Sequence, residues 1–80
     1  MRCIYEIAYD VSQDWKRPYF GAIPYLRAML RLRDADSMYG QDDAQSIVCY
    51  FLANAGTWRG PNARRIKAEL KEVIDWKGEE

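Results

Sequence analysis

An 80-residue chain that is 49% apolar and 14% aromatic has room for one small core, and its ring content argues against disorder. Twelve basic and twelve acidic residues cancel, which removes any whole-molecule field directing the chain to nucleic acid or membrane. There is no histidine, so the usual base for a serine or cysteine nucleophile is missing.

The first segment, RCIYEIAYD, supports two readings. Cys3, Tyr5, Ile7 and Tyr9 alternate as in a strand, whereas Ile4, Ile7, Ala8 and Val11 fall on one helical stripe. The density of Tyr and Ile and the turn cluster DVSQD favour a short strand. Its available partner is WKRPYF, which Pro18 would confine to an edge.

Residues 15 to 33 carry Lys16, Arg17, Arg27, Arg31 and Arg33 and no acid. Within them a helix is predicted from Ile23, with Pro24 in its first turn and Tyr25, Met29 and Leu32 on one face. Arg27 and Arg31 lie on the other face, where cations near a helix C-terminus also complement the dipole. The following DADSMYGQDD reads as a polar connection with one short helical turn before Gly40. It lacks the ligand alternation and closing glutamate of a calcium loop, and Asp42 or Asp43 is better placed as an N-cap.

The uncharged AQSIVCYFLANA should form a helix enclosed on most sides, with Ile47, Val48, Phe51, Leu52 and Ala55 as its stripe. Asn54 and a left-handed Gly56 would end it. In the corner GTWRGP, Trp58 is expected to fold back over the helix junction, whereas Arg59 has no packing role. Gly60 and Pro61 open a last helix running to about Trp76 and halted by Gly78. Ala63, Ile66, Leu70, Val73 and Ile74 would be buried there, with Arg64, Arg65, Lys67 and Lys71 facing outward. The expected fold is a single mainly α domain over residues 1–80. It would be a compact three-helix unit with a short N-terminal β-strand or extended segment, α+β if that strand pairs.

Chemistry-bearing patterns are few. Cys3 and Cys49 have neither disulfide-framework nor zinc spacing, and no phosphate loop or metal-ligand cluster occurs. No cofactor or metal is expected, and an enzyme is not. No segment reads as a signal peptide or as the roughly 20 apolar residues of a membrane span, so a cytoplasmic site of action and no membrane partner are expected.

Residues 38–70, MYGQDDAQSIVCYFLANAGTWRGPNARRIKAEL, resemble a family of small phage and mobile-element proteins marked by the spacing YFLxNAxTWRGxxAR. The likeness covers under half the chain and carries no catalytic role. It departs from the family at Asp43-Ala44-Gln45, where relatives have a small or glycine-containing step. Such an origin implies a counter-defence protein, with anti-CRISPR proteins as the comparison.

The functional expectation is a non-enzymatic inhibitor that docks on a host defence complex, such as a CRISPR effector in the host cytoplasm. It would block nucleic-acid or partner access through Trp58, Arg59, Arg64, Arg65, Lys67, Lys71, Arg27 and Arg31. The alternative is a small DNA-binding regulator using the basic C-terminal helix, which carries five bases against Glu69 from Arg59 to Lys71. A homodimer built by pairing the N-terminal strand is a third reading.

Overall fold

The computed structural model describes residues 2–75. Four α-helices follow one another: α1 (Ile4–Asp14), α2 (Ile23–Met29), α3 (Ala44–Ala53) and α4 (Pro61–Val73). A single 3-10 turn (Phe20–Ala22) leads into α2, and a two-residue hairpin, β1 (Met38–Tyr39) with β2 (Asp42–Asp43), leads into α3.

The N-terminal segment is therefore a helix and not a strand. The helical stripe decides it: Ile4, Ile7, Ala8 and Val11 are all fully buried, while Tyr5 and Tyr9 stand outside. Burying that stripe against α4 and α2 outweighs the β propensity of Tyr and Ile, which a strand without a neighbour could not use. Glu6 accepts the Cys3 N–H at 2.8 Å, half of a capping box, and fixes the start. The change of element also removes the strand edge on which a pairing homodimer would depend, and WKRPYF contains a bend and the start of the 3-10 turn.

Neighbouring helices run antiparallel. The Ile4 and Tyr5 N–H groups donate to the Arg33 and Leu32 carbonyls, tying the start of α1 to the chain just beyond α2. Tyr25, early in α2, meets Tyr50, late in α3, with ring centroids 5.4 Å apart. Arg2 forks across Glu69 of α4 (2.8 and 2.7 Å) and reaches Asp10 of α1 (2.6 Å). At the other end Asn62 of α4 donates to Asp14 of α1. The result is an up-down-up-down bundle.

The connection 34–43 holds a hairpin where a helical turn was predicted. Gly40, at φ 65°, takes the first central position of a two-residue loop, which suits a primed turn. Asp43 then caps α3 by accepting the Ser46 N–H at 2.8 Å, as its position predicts. Helix α3 buries one face (Ala44, Ile47, Val48 and Phe51) and is less enclosed than its composition implies, since Tyr50 is half exposed. Its C-cap is Asn54, and the left-handed glycines are Gly40 and Gly60 with no role of that kind for Gly56. Gly60 N-caps α4 at φ 116°, with Pro61 as its first residue. Helix α4 ends at Val73; the expected stop at Trp76 and Gly78 lies outside the described residues.

Phe51 is the centre of the core. It is fully buried and edge-on to both Trp15 (6.2 Å, 73°) and Trp58 (6.4 Å, 64°). Phe51→Ala is expected to lower unfolding free energy by about 3–5 kcal/mol, a large share of what a small domain has. Urea denaturation measures it, and a loss below about 1 kcal/mol would show that the rings are not the core's centre.

Candidate functional site

The end of the bundle where α1 and α3 finish and α4 begins is built around Trp58. Its ring is 2% exposed and stacks on Trp15 at 5.6 Å and 11°. A buried indole N–H needs an acceptor, and Asp14 supplies one at 2.8 Å while its other oxygen accepts from Asn62 at 3.0 Å. These two donors, Asn62 first, hold the Asp14 carboxyl below its ordinary value, with Arg65 and Lys16 adding smaller attraction.

Lys67 closes the corner from the α4 side. Its ammonium donates to the carbonyls of Ala55 (2.8 Å) and Trp58 (2.7 Å) and lies 5.6 Å from the Trp58 ring centroid. Desolvation lowers its pKa, and repulsion from Lys71 and Arg59 lowers it further. The corner carbonyls are thus satisfied by a cation that has turned inward.

The eight residues expected to bind a partner therefore divide. Trp58 is an interior ring, whereas Lys67 is half-buried, donating inward while lining the same open recess as Arg59 and Arg64. Arg59, Arg64 and Arg65 are exposed at the corner and form no salt bridge with any described carboxylate. Arg59 makes a long contact, 3.4 Å, to the Gly56 carbonyl. Lys71 is half-buried two turns further along α4 than Arg64. Arg27 sits on the outer face of α2, and Arg31 lies past its C-terminus toward the opposite end, so the fold does not gather them with the corner arginines.

In their place the fold brings Lys16 and Arg17 to this end, because Trp15, which they follow, stacks on Trp58, and Lys16 acts on Asp14. Exposed Tyr19 and Phe20 follow immediately. The signal was in the sequence as an acid-free run of cations and rings, but its neighbour in space is the α3–α4 corner. An open recess of about 260 Å³ lies among Trp58, Arg59, Gly60, Ala63, Arg64 and Lys67. A larger groove, about 450 Å³, lies over Tyr5, Tyr9 and Leu30, but the guanidinium beside it is Arg2, already paired with Asp10 and Glu69.

Charge is distributed unevenly along the bundle. The corner end holds Lys16, Arg17, Arg59, Arg64, Arg65 and Lys67, and the oxygens of its carboxylate Asp14 accept from Trp58 and Asn62. The opposite end mixes Asp34, Asp36, Asp42 and Asp43 with Arg2, Arg31 and Arg33. No cluster of described residues could hold a metal ion, and no described helix is long and apolar enough to cross a membrane. No family model, curated protein or solved structure matches the chain.

The depressed carboxyl of Asp14 sets a pH dependence. A folded-state pKa below the ordinary 3.8 contributes stability that is present above that value and lost as pH falls through the folded one. Asp14→Asn is expected to be less stable than the parent at neutral pH, with the gap narrowing as pH falls below 3.8. Thermal melts across that range test it; a gap that stays constant with pH would show that the charge on Asp14 is not what Trp58 and Asn62 use.

Proposed function

We propose that the chain is a non-catalytic docking protein of the phage inhibitor type, whose basic end seats on an anionic face of a host defence complex such as a CRISPR effector. Occupying that face blocks the access of nucleic acid or of a partner protein. The observation that carries this reading is the excess of positive charge at one end. Five exposed cations, Lys16, Arg17, Arg59, Arg64 and Arg65, lie there with Asp14, whose two oxygens are taken up by Trp58 and Asn62. Arginine beside exposed rings is also the composition of binding hot spots. The likeness of residues 38–70 to small phage and mobile-element proteins supports a counter-defence setting, and a chain without histidine is poorly equipped for acid–base catalysis at neutral pH.

The arrangement weighs against a DNA regulator that lays α4 in the major groove. The exposed cations of α4 lie in its first two turns, Glu69 and Glu72 occupy its second half, and Lys67 has turned inward. Arg64, Lys67 and Lys71 share one side of α4, but of the three only Arg64 is exposed, so the helix offers chiefly a basic tip. The corner of seven residues between α3 and α4 is also longer than the three or four of a helix-turn-helix.

Arg59→Glu combined with Arg64→Glu is expected to leave the melting temperature unchanged, since neither side chain has a carboxylate partner to lose. The same pair should weaken docking by roughly tenfold or more. Plasmid interference in a bacterium with an active CRISPR system reads the loss of inhibition. Full inhibition by the folded double variant would remove this end of the molecule from the account.

A further inference from the structure

Phe20 is 77% exposed and Tyr19 45% exposed, side by side with ring centroids 4.9 Å apart and planes tilted by 56°. Burying a phenylalanine stabilises a fold by removing its ring from water, so a thin core that leaves one outside forgoes a substantial contribution. The 3-10 turn that carries Phe20 buries Ala22 in its stead.

The position of the Tyr19 ring is set by the chain itself. A Cβ at Gly21 would lie 2.6 Å from Tyr19 Cε2 and 2.9 Å from Asn54 Oδ1, so the ring can lie across residue 21 because no side chain is there. Lys16 and Arg17 precede the pair directly, and both are exposed.

We propose that Tyr19 and Phe20 form a base-stacking platform for single-stranded nucleic acid, with its phosphates held by Lys16 and Arg17. This rests on the anionic-docking reading and names the anion. Stacking requires unpaired bases, which a duplex does not offer. Two exposed cations directly precede two exposed rings in the chain, the pairing of charge and ring used in single-strand grooves.

Fluorescence anisotropy with a labelled oligothymidine of about 12 nucleotides, the matching duplex, heparin and polyglutamate tests the proposal. The parent protein should prefer the single strand to the duplex. Phe20→Leu, apolar but unable to stack, should weaken single-strand binding by about tenfold, and Phe20→Trp should restore it. Neither change should affect heparin binding or the melting temperature, whereas Lys16→Glu with Arg17→Glu should weaken both heparin and single-strand binding.

Equal single-strand affinity for the Leu and Phe proteins overturns the stacking platform. So does binding of heparin or polyglutamate without binding of oligothymidine, a result that leaves the anionic-docking reading standing. Failure to bind any of the four polyanions removes both.

Discussion

The hydrogen bond from the Trp58 indole to Asp14 is the contact on which the corner depends. Trp58 must bury a large ring together with one N–H, and a buried donor without an acceptor costs about 1–3 kcal/mol. The acceptor comes from the last residue of α1, where a carboxylate is poorly placed with respect to the helix dipole. It is tolerated there because it takes two hydrogen bonds, from Trp58 and Asn62, and joins the end of α1 to both the corner and α4. Lys67 does the complementary work on the carbonyls of the same corner. The Ala55 and Trp58 carbonyls and the Trp58 indole are thus satisfied without Arg59 or Arg64, and Arg59 makes only the 3.4 Å contact to the Gly56 carbonyl.

Charge separation follows from topology. In an antiparallel bundle the C-termini of α1 and α3 and the N-terminus of α4 share one end, so a basic residue after α1 and basic residues opening α4 become neighbours. The aspartates between α2 and α3 are carried to the other end by the same rule. A chain whose formal charges sum to zero can therefore present a strongly basic tip. Net charge bounds the long-range field, but local potential depends on which helix ends meet.

The later elements were readable because local signals and burial agree in them. Pro24, Asp43 and the Gly60-Pro61 pair mark the starts of α2, α3 and α4, and the apolar stripes behind them reach the core. In the first segment the signals conflict. Tyr5 and Tyr9 favour a strand locally, while Ile4, Ile7, Ala8 and Val11 favour a helix once α4 and α2 are present to cover them. Two-residue strands are too short to leave an alternating pattern, so the hairpin was hidden. The inward turn of Lys67 was hidden for a different reason. It answers carbonyls at positions 55 and 58, whose direction depends on how the corner closes. Lys16 and Arg17 were visible as charges, but chain proximity associates them with Arg27 and Arg31, whereas the stacking of Trp15 on Trp58 brings them to the end where α4 begins.

The same stacking explains why rings occur both inside and outside this end. Trp15, Phe51 and Trp58 already fill it, and the turn entering α2 contributes only the small side chain of Ala22 to the interior. Phe20 is excluded by that packing. A single exposed ring on a protein surface needs no explanation. Here two adjacent rings, one laid against a residue without a side chain, directly follow the exposed cations Lys16 and Arg17. Water hydrates those cations well but leaves the apolar ring faces uncovered. A strand of bases joined by phosphates can stack on the rings while meeting the cations, which is why the outward rings and the two cations before them are understood as one surface.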